Sequence, residues 1–228
     1  MKNPALLTCI LIGLSQSASA GVITWTDWTS ATSGSSGTAS GSMGTVGIDY
    51  TGDVTFAQLG SGTNFWTEGS PAPYTGNSVV DNAPTPAEMI AMSLAGITNT
   101  VTFGSTVLNP IMAIVSQGQF GLPVTYDFDQ SFTVLSEGRG FWGDGFYTLG
   151  AGDTLTGYEL HAVIQFDGAV DAISWTAAPG EYWHGFTFGL DGAAQHIPEP
   201  TTGLLMGLGL LGLGAARRIS KLAALSRG

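Results

Sequence analysis

The chain has 228 residues and a formal net charge of −11, and 43% of its residues are hydrophobic. Between residues 21 and 196 the only Lys or Arg is Arg139, against sixteen Asp and Glu, and so acidic a body repels phosphates and excludes nucleic-acid binding. Cys9 is the single cysteine and lies in the segment expected to be removed, which excludes disulfides and thiolate metal sites from the mature chain.

The first twenty residues have the features of a secretory signal peptide. Lys2 supplies the positive charge, residues 6–14 are apolar, and Ala18-Ser19-Ala20 has the small-x-small pattern that signal peptidase cleaves. We therefore expect an exported protein, with signal peptidase as its first partner and a cut after Ala20.

Strand patterns dominate residues 21–196 and predict one all-β ectodomain with about ten short strands. "TVGIDY" and "VTFAQL" flank "TGD" as an expected hairpin, and "ELHAVIQF" and "AVDAISW" flank Asp167-Gly168 as a second. The low-complexity run "TSATSGSSGTASGSMG" predicts either a loop or a solvent-facing strand. The expected fold is an antiparallel β-sandwich, jelly-roll-like.

One short helix is expected within this body. Thr85-Pro86-Ala87-Glu88 combines a capping Thr, a first-turn Pro and the Glu of a capping box. The apolar residues of "EMIAMSLAG" follow, and Gly96 is a stop signal, so about ten helical residues are predicted.

Residues 138–143 match the pattern G-x-G-x-x-G. A dinucleotide site needs a helix directly after this pattern to hold the pyrophosphate, whereas "DGFYTLG" predicts a turn and a strand. A dinucleotide cofactor is therefore excluded.

Calcium is the one cofactor that the carboxylates suggest. Asp127 and Asp129 lie two residues apart on one strand face, and with Asp144, Asp153 or Asp171 they are candidate calcium ligands. The alternative is that they are solvent-facing carboxylates, and otherwise no cofactor is expected.

Catalysis has only weak support in the sequence. Glu159 and His161 are expected to share a strand face, and Glu137 with Glu181 would suit glycoside hydrolysis if about 5–10 Å apart. Neither a nucleophile elbow nor a His-Glu-x-x-His motif is present. The body is expected to be non-enzymatic, with a secreted hydrolase as an alternative.

Aromatic residues are the best candidates for ligand contacts, because exposed rings stack on sugars. The set comprises Trp25, Trp28, Trp66, Trp142, Trp175, Trp183, Tyr74, Tyr147 and Tyr182. Trp66, Trp142 and Trp183 are the candidate glycan-binding residues, and the alternative is that most of these rings fill the core.

The carboxyl end predicts a single transmembrane helix. Residues 201–216 carry no charge and would span about 24 Å as a helix. Arg217, Arg218 and Lys221 follow and would stop transfer and stay cytoplasmic, which leaves the body outside. An uncleaved membrane anchor or a buried pair of glycine-rich strands are the alternatives.

Pro198-Glu199-Pro200, the apolar span and the Arg cluster, in this order, resemble the PEP-CTERM sorting signal. The resemblance implies that exosortase, a membrane-embedded enzyme resembling cysteine transpeptidases, recognises the tail while it is anchored in the inner membrane. Cleavage near the motif would then deliver the body to the cell surface or the exopolysaccharide matrix of a Gram-negative bacterium.

Three segments follow from these observations: a signal peptide at residues 1–20, a β-sandwich ectodomain at residues 21–196 and a sorting signal at residues 197–228. The expected function is that of an exported, exosortase-processed surface or extracellular-matrix protein. A module that binds the exopolysaccharide is the leading alternative for the ectodomain.

Overall fold

The computed structural model describes residues 20–192, and these form strands and loops without a helix. Every pairing between the strands is antiparallel. The strands are β1 (Ile23–Trp25), β2 (Asp27–Thr32), β3 (Gly34–Met43), β4 (Val46–Val54), β5 (Phe56–Gln58), β6 (Met89–Met92), β7 (Thr98–Leu108), β8 (Ile111–Gln117), β9 (Val124–Phe128), β10 (Phe132–Glu137), β11 (Arg139–Gly140), β12 (Gly143–Asp144), β13 (Phe146–Leu149), β14 (Thr154–Tyr158), β15 (Leu160–Phe166), β16 (Ala169–Ala178) and β17 (His184–Asp191).

Two large sheets make up the body. One has the order β10-β15-β8-β17-β6-β5, with β1 also paired to β17, and the other has the order β13-β14-β9-β16-β7-β4-β3-β2. The main core draws buried side chains from both sheets, among them Trp28, Tyr50, Trp175 and Phe186. The expected all-β antiparallel sandwich is thereby confirmed, while its jelly-roll connectivity stays a prediction.

A second core covers the outer face of the seven-stranded sheet. Trp66 and Tyr74, from the long segment between β5 and β6, pack there with Met89, Ile111 and Val115. Strands β6 and β8 are consequently buried on both faces. Sheets covered on both sides have continuous apolar strands instead of alternating ones.

The expected helix after Thr85 is wrong, because Met89–Met92 forms strand β6. One half of the capping box does form, because the Glu88 carboxylate accepts a hydrogen bond from the Thr85 N–H, but the Glu88 N–H donates to the Thr85 carbonyl over 3.0 Å and not to its hydroxyl. They close a turn that is not continued. All four residues of β6 are buried, so pairing with β5 and β17 outweighs the local helical signal.

Both expected hairpins are also wrong, although the chain does turn at Asp167-Gly168, where Gly168 has a φ of 85°. That turn joins β15 to β16, and these strands lie in different sheets. The "TGD" segment belongs to β4, which runs on to Val54 before the chain crosses to β5 in the other sheet. The low-complexity run forms parts of β2 and β3, so the strand alternative holds.

Candidate functional site

A cleft of about 260 Å³ opens where three neighbouring strands of the seven-stranded sheet have their ends. Strand β8 ends at Gln117, where antiparallel pairing brings the first residues of β15 and β17 alongside. The cleft is lined by Ser116, Gln119, Trp142, Glu159, Tyr182 and Trp183. Aromatic, amide, hydroxyl and carboxyl groups thus meet in one concave surface.

Aromatic rings provide much of the lining. Tyr182 is 86% exposed and Trp142 is 44% exposed, whereas Trp183 is half-buried. The Trp142 ring stacks on Phe65 with centroids 5.2 Å apart and meets the Trp183 ring edge-on at 5.1 Å. These contacts hold Trp142 in place while part of its surface stays open to solvent.

Trp142 reaches this position on a short hairpin that the glycine-rich run builds. Strands β11 and β12 pair directly, which leaves Phe141 and Trp142 as the two residues of the turn. Gly140 lies so close to His161 that an added Cβ would be 2.2 Å from its Cγ. The run therefore serves close packing of a hairpin on the sheet, and no helix follows it, as expected.

His161 lies beneath this hairpin and is fully buried. Its Nδ1 is 3.2 Å from the Tyr74 hydroxyl, and its ring stacks on Trp142 with centroids 6.3 Å apart. Burial lowers the pKa of His161 from 6.5 to about 4, so the ring is neutral at pH 7.

Ser116 and Glu159 supply a polar floor. The Ser116 hydroxyl donates a hydrogen bond of 2.5 Å to Glu159 Oε1. Both residues have left-handed backbone conformations, with φ values of 59° and 62°, which disfavour residues other than glycine by about 1 kcal/mol each. Strained, mutually bonded residues in a cleft are typical of functional sites.

A second carboxylate lies behind the floor. Glu181 Oε1 accepts a hydrogen bond of 2.7 Å from the Gly118 N–H and lies 2.6 Å from His184 Nδ1. The side chains of Glu181 and His184 are almost wholly buried. This pair fixes the loop after β8, and with it Gln119, to the first residues of β17.

Burial raises the pKa of the Glu159 carboxyl above its ordinary value. The Ser116 hydrogen bond lowers this pKa in part, and the nearby Glu181 carboxylate raises it further. Glu159 does not share a strand face with His161 as expected, because its left-handed conformation precedes β15. It therefore faces the cleft, whereas His161 is in the core.

Of the three candidate tryptophans, Trp142 and Trp183 line the cleft. Trp66 is only 2% exposed and packs edge-on against Tyr74, with centroids 5.2 Å apart. Its ring is part of the second core and offers no surface to a ligand. The sequence did not single out Ser116 or Gln119 as cleft residues.

The other carboxylates lie elsewhere. Asp129 Oδ1 accepts a hydrogen bond of 2.8 Å from the Ser174 N–H, and Asp127 is exposed on β9. Residues 20–192 contain no group of three or more His, Cys, Asp or Glu that could hold a metal ion. For the expected pair of Glu137 and Glu181, the structure gives each carboxylate a different acidic neighbour. Asp144 lies near Glu137, and Glu159 lies near Glu181.

The targeting segments lie outside the described residues. This applies to the signal peptide with Ala18, to Pro198, Glu199 and Pro200, to the expected transmembrane helix, and to Arg217, Arg218 and Lys221. Ala20 is the first residue described. In the described part of the chain, no helix has the length and hydropathy required to cross a membrane.

Comparison with known proteins adds one finding, at the carboxyl end. Neither a curated protein nor a solved structure matches the chain. Residues 196–218 match the family model of the PEP-CTERM protein-sorting motif, and this match includes the Pro-Glu-Pro tripeptide and the paired arginines. The motif implies exosortase-dependent sorting, with export, a membrane-anchored intermediate and then the cell surface. The carboxyl end of the chain therefore carries a segment that matches the PEP-CTERM protein-sorting motif, as its resemblance to that signal led us to expect.

Proposed function

We propose that the β-sandwich is the non-enzymatic, carbohydrate-binding part of an exosortase-processed surface or matrix protein, and that its ligand is exopolysaccharide. The observation that carries the proposal is the cleft in which the exposed rings of Tyr182 and Trp142 stand beside Glu159 and Gln119. The sorting motif accounts for delivery to the surface, and the cleft for a role there.

The cleft and a sugar ring have complementary surfaces. The C–H faces of a sugar ring are apolar and pack on an exposed aromatic ring, and its hydroxyls need donors and acceptors nearby. Tyr182 offers a nearly free ring, while the Gln119 amide and the Glu159 carboxyl supply both donors and acceptors.

The test is calorimetric titration of the purified protein with oligosaccharides of the host exopolysaccharide. We expect Tyr182→Ala and Trp142→Ala each to weaken binding about tenfold or more, because exposed aromatic anchors dominate such interfaces. Phe146→Ala is the matched control, since Phe146 is 45% exposed but lies on β13 and does not line the cleft. Equal affinities for all three variants and the wild type would overturn the proposal.

A secreted glycoside hydrolase is the second candidate, and one observation favours it. Glu159 has a raised pKa in the cleft and the Glu181 carboxylate close by, an arrangement that general-acid catalysis uses. Release of reducing ends by the wild type, abolished in Glu159→Gln, would establish the hydrolase. Binding without release of reducing ends supports the non-enzymatic proposal.

Processing of the tail is tested by mass spectrometry of the mature carboxyl terminus. Exosortase-dependent sorting predicts that surface material lacks the peptide "AARRISK". Its presence there would instead establish an uncleaved membrane protein.

A further inference from the structure

The charges of the described residues are almost all of one sign. They include sixteen Asp and Glu but a single cation among Lys and Arg, Arg139. The Arg139 side chain packs over Gly69, where an added Cβ would lie 2.9 Å from three of its carbons, and it is not among the residues lining the cleft.

The cleft itself carries the same sign. Glu159 lines it and Glu181 lies just behind, whereas the two described histidines, His161 and His184, are fully buried and do not line it. A ligand in contact with Tyr182 and Gln119 therefore meets the Glu159 carboxyl, and among residues 20–192 no guanidinium or ammonium group lines the cleft to pair with it.

From this arrangement we propose that the cleft selects glycans without acidic groups, namely neutral or amino sugars, and rejects uronate and sulfated chains. The proposal rests on the carbohydrate-binding function above and names its ligand class. A sugar carboxylate at Glu159 would face a like charge in a partly desolvated site, where repulsion is stronger than in water. A hydroxyl, acetamido or ammonium group instead finds an acceptor in the Glu159 carboxyl and a donor or acceptor in the Gln119 amide.

The test compares three hexasaccharides on the purified full chain at pH 7 in EDTA, which prevents calcium bridges between carboxylates. The probes are hexamers of N-acetylglucosamine, glucosamine and mannuronate. We expect mannuronate to bind at least about tenfold more weakly than both others at low salt. The difference in affinity between mannuronate and the other two hexamers should narrow in about 500 mM NaCl, because salt screens the repulsion.

Glu159→Gln removes the charge in the cleft while keeping an acceptor for the Ser116 hydroxyl. It should therefore reduce the difference in affinity between the mannuronate and N-acetylglucosamine hexamers. Asp167→Asn is the matched control. Asp167 is an exposed carboxylate at the opposite end of β15, and its substitution should leave this difference in affinity unchanged.

Two results overturn the inference in distinguishable ways. Mannuronate affinity equal to or above that of the neutral hexamer refutes the selection against acids while the carbohydrate-binding function stands. Absence of binding by all three hexamers, and by the host exopolysaccharide, refutes the carbohydrate-binding function and the inference with it.

Discussion

Acidification should destabilise the protein through His161, which is buried and neutral in the folded state. Its pKa is about 4 when folded, against 6.5 ordinarily, so between these values the unfolded chain binds a proton that the folded chain does not. The contribution of His161 to the free energy of unfolding therefore falls as the pH falls from 6.5 towards 4. From pH 7 to pH 4.5 the loss attributable to His161 is about 2–3 kcal/mol, since each pKa unit is worth about 1.4 kcal/mol.

The assay is urea unfolding followed by tryptophan fluorescence at pH 7, 6, 5 and 4.5, for the wild type and His161→Gln. Glu88, Glu137 and Glu159 have raised pKa values, and their opposite effect on stability is largely common to both proteins. The difference in unfolding free energy between wild type and variant isolates His161. A difference that stays constant to within about 0.5 kcal/mol between pH 7 and 4.5 would refute the reasoning, because it would mean that the buried ring titrates normally.

Three further substitutions test the packing of the site and core. Gly140→Ala places a Cβ 2.2 Å from a buried imidazole carbon, so oligosaccharide affinity measured by calorimetry should fall about tenfold, whereas Gly47→Ala meets nothing within 4 Å and should change nothing; equal affinities would show that the hairpin tolerates displacement. Glu181→Ala leaves a backbone N–H and an imidazole without their acceptor, and should lower the unfolding free energy in urea by about 2–5 kcal/mol; a loss below about 1 kcal/mol would contradict this. Asn99→Ala removes the oxygen that accepts from the Tyr50 hydroxyl at 2.7 Å and a backbone N–H at 3.0 Å, and in the same assay should cost about 2–4 kcal/mol; an unchanged midpoint would show that water replaces it.

The fold class was predictable from the sequence because strand residues and glycine-rich turns recur along the whole body. The helix was not, because the capping signals around Thr85 and Glu88 describe one turn and no more. Whether the apolar run of β6 continues as helix or strand depends on partners far along the chain, and β17 is about a hundred residues away.

Local sequence signals also could not predict which sheet each strand joins, because that too depends on partners far along the chain. Asp167-Gly168 does specify a sharp turn, since Gly168 adopts the positive φ that such turns require. Nothing in those two residues determines whether the next strand pairs with the previous one or crosses to the opposite sheet.

The candidate site was only partly predictable. Trp142 lies in turn-like sequence and is exposed, as expected, whereas Trp66 is in similar sequence but is buried by a long segment packed on the sheet. Ser116 had no sequence signal, and Glu159 was expected on a strand face with His161 instead of in the cleft, because left-handed conformations are rare for both residue types.

Under the export that the sorting motif implies, the position of β17 determines when the seven-stranded sheet can be completed. This strand, the last in the described residues 20–192, lies inside its sheet between β8 and β6, and its final residues also pair with β1. A polypeptide translocated amino end first therefore exposes unpaired edges on β8, β6 and β1 until residues 184–191 have emerged. The sheet can therefore close only after β17 has emerged, and until then its unpaired edges are sites for self-association.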